Sequence, residues 1–202
     1  EWAAEEATKL QYLRPNAVDP ITGKNTGNNI GINAPYMHFH QWDKDEVRVR
    51  IMLKGGGSEN VGIQYKLPDT SLGAGRDLKG VRKLIIDAVV KAQGQGCAPG
   101  IIGVGIGGDR VTSFALSKEQ FFRKLGERSD HPELAKLEEQ LVDELNQLNI
   151  GPMGFGGKTT VLGCNIGYQH RHPATYYVSI SYTCWAYRRK EMIIKGGEVT
   201  YD

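Results

Sequence analysis

Gln95-Gly96-Cys97-Ala98-Pro99-Gly100-Ile101-Ile102-Gly103-Val104-Gly105-Ile106-Gly107-Gly108-Asp109 is the stretch on which the fold turns. A turn rich in glycine and proline carries one cysteine and opens directly into an apolar run, Ile101 to Ile106. A short continuous apolar run bounded by turn signals reads as a buried strand. Cys97 is then presented on rigid backbone at the mouth of a strand, the placement a metal or cluster ligand needs. The alternative is a small buried residue in a tight turn. Cys97 is not part of a CxxC pair, which argues against a structural zinc site.

Outward from this strand, helices and strands are mixed. Asp77 to Gln93 carries Leu78, Val81, Leu84, Ile85, Ala88 and Val89 at helical spacing, with Gly94 and Gly96 as stop signals. Pro132 to Leu148 is the clearest amphipathic helix, with Pro at an early position and Leu134, Leu137, Leu141, Leu145 and Leu148 on one face. Ser117-Lys118-Glu119-Gln120 has a capping-box pattern and predicts a helix opening there and running through Leu125. Residues 1–13 read as helical, and residues 14–45 as irregular, with turn signals at Asp19-Pro20 and Asn25 to Asn29. Glu46 to Lys54 alternates as a strand buried on one face, and Asn60 to Leu67 follows as a second strand. Thr159 to Cys164 and Thr175 to Cys184 read as strands, and Glu191 to Tyr201 as a weak edge strand or a tail. Without regular βαβ repetition the fold class is α+β, or mixed α/β, around one sheet packed with helices.

The chain has 202 residues and a formal net charge of +2, enough to bury a core and too balanced to point to nucleic acid or a membrane surface. No apolar run reaches the ~18 residues of a membrane span. The first residues are not a signal peptide, so a cytoplasmic location is expected. Three widely spaced cysteines do not form a disulfide framework.

Among the other chemistry-bearing residues, Cys184 follows Ser181-Tyr182-Thr183 and precedes Trp185-Ala186-Tyr187-Arg188-Arg189. Taken alone it reads as core, as does Cys164. His170-Arg171-His172-Pro173 is either a solvated cationic loop or a carboxylate-recognition site. Arg14, before Pro15, has the same two readings. Lys54-Gly55-Gly56-Gly57-Ser58-Glu59-Asn60 offers backbone N–H groups to an anion but has no P-loop or dinucleotide spacing. His38 and His40 alternate without nearby ligand partners. Cys97, Cys184 and the Arg/His-rich stretches together suggest a metal-dependent enzyme acting on an anionic substrate. A zinc hydrolase would need three or four clustered ligands that the sequence does not display.

Five motifs in order then carry a resemblance. Leu13-Arg14-Pro15-Asn16-Ala17-Val18, Lys54 to Asn60, Gly96 to Asp109, Met153-Gly154-Phe155-Gly156-Gly157-Lys158-Thr159, and His172 to Thr175 with Cys184 to Arg189 resemble the oxygen-sensitive iron–sulfur hydro-lyases. These are class I fumarate hydratase and L-tartrate dehydratase. The likeness covers nearly all of residues 1–202 and corresponds to the α subunit, or to the N-terminal domain of the one-chain form.

The resemblance implies a 4Fe–4S cluster held by three cysteines, with one iron open to act as Lewis acid in reversible hydration of fumarate to L-malate. The tartrate reaction is the alternative. Two of the thiolates map onto Cys97 and Cys184. The third belongs to a Cys-Gln-Asp-Thr-Gly type motif upstream, which these residues do not contain. The chain is therefore expected to lack an upstream segment and to be inactive alone, with a non-catalytic scaffold fragment as the rival reading. The resemblance places substrate contacts at Arg14, Gly57 and His172, the histidine reaching a neighbouring protomer. It thus implies a C4 dicarboxylate substrate, a homodimer, and a β subunit or C-terminal domain as partner.

Overall fold

The computed structural model describes all 202 residues, in two compact units, Glu1–Glu46 and Val47–Asp202. The first unit holds one helix, α1 (Trp2–Lys9), followed by turns. Asn29 organises them from a left-handed backbone conformation (φ 63°). Its Oδ1 accepts from the Asn16 and Ala17 amides, and its Nδ2 donates to Thr8 Oγ1 and the Arg14 carbonyl. The run of Asn, Asp, Pro and Gly thus makes the irregular segment its composition predicts. His38 and His40 lie outside any strand.

The second unit contains β1 (Val47–Leu53), α2 (Gly56–Asn60), β2 (Ile63–Lys66), α3 (Leu78–Ala92), β3 (Gly100–Ile106), α4 (Arg110–Glu119), α5 (Pro132–Gln147), β4 (Val161–Tyr168), β5 (Tyr177–Cys184), β6 (Arg188–Lys195) and β7 (Glu198–Tyr201). The class is mixed α+β, as expected. The strands divide between two sheets rather than one, ordered β2-β5-β3-β4 and β1-β6-β7. The second sheet exists because the C-terminal segment, read as a weak edge strand or a tail, is strand and turns back on itself. Gly196 and Gly197 both take positive φ (57° and 85°), the two-residue hairpin geometry that glycine supplies without strain. β6 then pairs antiparallel with β1. The alternation in β1 marks a strand but not a buried face, since Val47, Val49 and Ile51 are exposed.

β3 lies at the centre of the four-stranded sheet, parallel to β4 and antiparallel to β5. Its two faces differ. Ile102, Val104 and Ile106 enter the main core with Val178, Ile180 and Tyr182 of β5 and the apolar stripes of α3 and α5. The intervening Gly103 and Gly105 let α4 lie against the strand. A Cβ at either would overlap the backbone carbonyl of Ser117 or Ser113. Ser113 and Ser117 then bond Ser179 and Ser181 of β5, at 2.8 and 2.7 Å.

Helix starts follow side-chain capping. Asp77 accepts from Gly80 N at the start of α3. The expected start at Ser117 is displaced, because α4 begins at Arg110. Asp109 and Thr112 form a reciprocal capping box there, and only a 3₁₀ turn, Gln120–Phe122, follows the helix. Gly55 is the N-cap of α2, and Gly56 and Gly57 are its first two residues.

One buried carboxylate ties α5 to the sheet and to the segment before the helix. Glu138 is fully buried and accepts from Arg123 Nη1 and Nη2 at 2.6 and 3.1 Å. The same carboxylate accepts from the Ser129 and Ile166 amides, so all of its strong acceptor directions are used.

Candidate functional site

Strand register brings the two distant cysteines to one end of the sheet. Gly100, the first residue of β3, pairs directly with Cys184, the last residue of β5. Cys97 sits three residues before Gly100, in the turn that follows α3. Its amide donates to the Gly94 carbonyl at 3.1 Å and its backbone is left-handed (φ 60°). A non-glycine residue in that region is strained by about 1–2 kcal/mol and persists only where its surroundings over-determine it. The surroundings are the loop Gly151 to Gly157. Met153 N donates to the Ala98 carbonyl, and a side chain at Gly94 would overlap the Met153 carbonyl. Cys97 and Cys184 are both partly accessible.

Tyr182 lies beneath this pair. It stands two residues before Cys184, so both side chains project to the same face of β5. Its ring fills the space beside Gly96 and Gly100, where a Cβ would overlap it. The ring is buried, yet its hydroxyl has no hydrogen-bond partner. Burial pushes the phenol up to about 12, and the charges of Cys97 and Cys184 push the same way.

Lys54 brings positive charge to the same end. Its Nζ bonds Ser58 Oγ at 3.2 Å and pairs with Glu59 at 2.9 Å, and Glu59 also pairs with Lys118. Burial pulls the Lys54 ammonium below its ordinary value, while Glu59 and the Cys184 thiolate favour its charged form. Burial opposes ionisation of Glu59, but the bonds from Lys118 and Lys54 win and lower its carboxyl. Gly57, the second residue of α2, is exposed, and a Cβ there would meet the Gln95 carbonyl at 3.8 Å. The glycine loop and the cysteine turn are therefore neighbours.

His172 is at the other end. The Gly107 and Gly108 amides, just past β3, donate to the Tyr177 and His170 carbonyls. The His170 to Thr175 loop thus caps the C-terminal end of β3, about 20 Å of extended strand from Cys97. An open cleft there is lined by Asp109, Arg110, His170, Arg171, His172 and Tyr177, among others. Arg171 is consumed in holding the loop. It donates to the His172, Pro173 and Thr175 carbonyls and stacks over Tyr176 at 4.5 Å. His172 Nδ1 accepts from the Ala174 amide at 3.1 Å, which puts the neutral ring's proton on Nε2. The exposed Nε2–H is a donor suited to an anion.

Among the sequence-selected residues, Cys97, Cys184 and Gly57 come together, and His172 lies apart from them within one chain. Arg14 belongs to the first unit, exposed, with its carbonyl held by Asn29. Cys164 is fully buried opposite Ile102, and burial pushes its thiol well up, so it is core and not a ligand. Tyr182 and Lys54 escaped individual notice in the sequence. Tyr182 reads as an ordinary inward residue of an alternating strand, whereas Lys54 stood at the head of a motif noted only for its glycines.

The donor chemistry suits part of a soft metal centre. Two accessible thiols from adjacent backbone segments, with an unpaired hydroxyl beneath them, match thiolate ligation of an iron–sulfur cluster. The third cysteine of these 202 residues is buried elsewhere, and no three His, Cys, Asp or Glu side chains converge as a metal site. No helix is long and apolar enough to cross a membrane.

Comparison with known proteins places this architecture. Residues 1–193 match the family model described as Fumarate hydratase (Fumerase). The chain is 54% identical over 190 residues to a Geobacillus stearothermophilus protein assigned as a class I fumarate hydratase, covering 93% of this chain and 37% of that protein. It is 34% identical to the L(+)-tartrate dehydratase subunit alpha of Escherichia coli, covering 99% of this chain and 64% of the subunit. A Methanocaldococcus jannaschii protein assigned as the same type of subunit is also 34% identical, with 95% and 66% covered. The chain thus spans between 37% and 66% of the length of these relatives. The chain belongs to the fumarate hydratase (Fumerase) family, the hydro-lyase group that includes class I fumarate hydratases and the α subunits of L-tartrate dehydratase.

Proposed function

We propose that residues 1–202 are the α-type domain of an iron–sulfur hydro-lyase that reversibly hydrates fumarate to L-malate. The observation that carries this reading is the convergence of Cys97 and Cys184 across the β3–β5 register, beside the Lys54–Gly57 loop. The higher identity to the class I fumarate hydratase than to the tartrate subunits favours the fumarate reaction.

In this reading Cys97 and Cys184 would hold a 4Fe–4S cluster together with a third thiolate from outside these residues. When bound, the cluster supplies Lewis acidity at an iron that no thiolate occupies. The chain's own groups receive the dicarboxylate. The Gly57 amide, a first-turn donor of α2, takes one carboxylate oxygen. Lys54 adds positive charge at the thiolate end, and the Arg14 guanidinium provides a charge-assisted donor. His172 donates from Nε2. Because His172 and the cysteines stand at opposite ends of β3, this histidine serves the site of a second copy, and the working unit is a homodimer. The β subunit or C-terminal portion supplies the remaining contacts and the proton-transfer group.

The test is a dehydratase assay on the anaerobically reconstituted full-length protein, with any separate β subunit present, using L-malate and L-tartrate in parallel. Malate turnover well above tartrate turnover is expected. The reverse result makes the protein a tartrate dehydratase, and turnover of neither by cluster-loaded protein refutes both assignments.

A further inference from the structure

The buried hydroxyl of Tyr182 has no partner among the residues around it, which is unusual for a native interior. Leaving such a group unsatisfied is costly in the low-dielectric core, and each exception calls for a ligand or a specific role. Two observations place it beside the cysteines. Tyr182 and Cys184 share a face of β5. The ring abuts Gly96 and Gly100, which bracket Cys97. Gly96 and Gly100 carry no side chain that could intervene, so the ring packs on the turn that carries Cys97 and its oxygen lies at Gly100, the residue paired with Cys184.

We propose that Tyr182 donates its O–H to a sulfur of the cluster held by Cys97 and Cys184, and so sets the cluster's reduction potential and its resistance to air. This rests on the cluster reading above and adds a residue to it. A phenolic O–H is a competent donor to a thiolate or sulfide sulfur, and hydrogen bonds to cluster sulfurs are one of the levers that tune potential. The donor stabilises the more negative, reduced state, so its removal shifts the potential downward and makes oxidation easier. Tyr182 is a positioning and tuning group in this proposal.

The experiment compares wild-type and Tyr182→Phe full-length protein, both reconstituted anaerobically with iron and sulfide. The substitution keeps the ring that packs on Gly96 and Gly100, so the fold is retained. The readouts are the potential from redox titration followed by electron paramagnetic resonance, and the rate of iron loss in air. A more negative potential and about threefold to tenfold faster iron loss are expected, the scale of one lost hydrogen bond. In the wild type, electron–nuclear double resonance of the reduced cluster should also find an exchangeable proton that deuterium oxide removes and that Tyr182→Phe lacks. An unchanged potential with full iron content overturns the proposal, as does a rise in KM alone, which would assign the hydroxyl to substrate. A wild-type protein that binds no iron or sulfide refutes the underlying cluster reading instead, so the two failures are told apart.

Discussion

Tyr182 occupies the space that a side chain at Gly100 would need, because a Cβ on Gly100 would overlap its ring and hydroxyl. Gly100 also faces Cys184 across the β3–β5 ladder, so one glycine sets both the tyrosine and the cysteine. Gly100→Ala is expected to destabilise the protein by about 1–3 kcal/mol through overpacking against a rigid ring. Iron uptake should fall with it. Gly56→Ala is the control, since nothing lies within 4 Å of its Cβ position and its φ is not positive. Denaturation midpoints that are equal for the two variants would show that the Tyr182 clash is relieved without cost.

The three cysteines separate into two kinds. Cys97→Ser and Cys184→Ser should each abolish retention of iron and sulfide in the full-length protein while circular dichroism stays native. Cys164→Ala should retain the cluster and lose about 1–2 kcal/mol, because it trims a small buried side chain of β4 that belongs to the main core. Iron and sulfide content measured on the three variants decides the assignment, and cluster loss in Cys164→Ala alone would reverse it.

Much of this architecture is legible in the residues themselves. The leucine stripe after Pro132 gives α5, the apolar spacing from Leu78 to Val89 gives α3, and the apolar run before Gly107 gives β3 nearly to the residue. The miss at α4 has a physical cause. Its sheet-facing positions are Ser113 and Ser117, which meet glycines of β3 and serines of β5, so the helix carries no apolar stripe to announce it. The start signal was present in Asp109, at the end of the decisive stretch. At the site, the motifs named Cys97, Cys184 and Gly57, but only the β3–β5 register shows that they meet. Local sequence does not encode that pairing, nor the orphan hydroxyl of Tyr182. The motif order likewise could not tell that Arg171 is spent on its own loop.

Removing Glu138 leaves Arg123 without its main counter-charge and the Ile166 amide without an acceptor in the sheet. Breaking a buried ion pair from one side costs about 3–5 kcal/mol. Glu138→Ala is therefore expected to be the most damaging single substitution among those considered, visible as a large drop in the urea midpoint. A loss below about 1 kcal/mol, the range of exposed pairs, would mean that the pair is solvated in solution.

Acid should weaken the fold through paired carboxylates. The Glu144 carboxyl is lowered chiefly by the hydrogen bonds from Arg82, at 2.7 and 2.8 Å, and Glu59 is lowered by Lys118 and Lys54. A carboxyl lowered in the folded state contributes stability that is complete above its unfolded value, about 4.3 for Glu. That contribution is lost as pH falls through the lower folded value. The melting temperature should thus be level above about pH 5 and fall below it. Glu144→Gln should flatten that fall and, because the pair is partly exposed, cost at most about 1 kcal/mol at neutral pH. A Glu144→Gln curve of unchanged shape would remove the Arg82 pair from the acid response.

The separation of His172 from Cys97 and Cys184 along β3 makes the dimer testable by complementation. His172→Ala alone should leave the cluster intact and raise KM about tenfold or more, the scale of one hydrogen bond to a charged group. Cys184→Ser alone should be inactive. When the two variants of the full-length protein are co-expressed at equal levels, half of the dimers that form at random are mixed. Each mixed dimer has one site built from the intact cysteines of one protomer and the intact His172 of the other. Its second site carries both defects. Activity at low substrate should therefore recover to about a quarter of the wild-type value, although neither parent variant reaches it. If His172 instead served the cysteines of its own chain, no mixed dimer would contain a complete site. The co-expressed sample would then show only the average of the two defective parents.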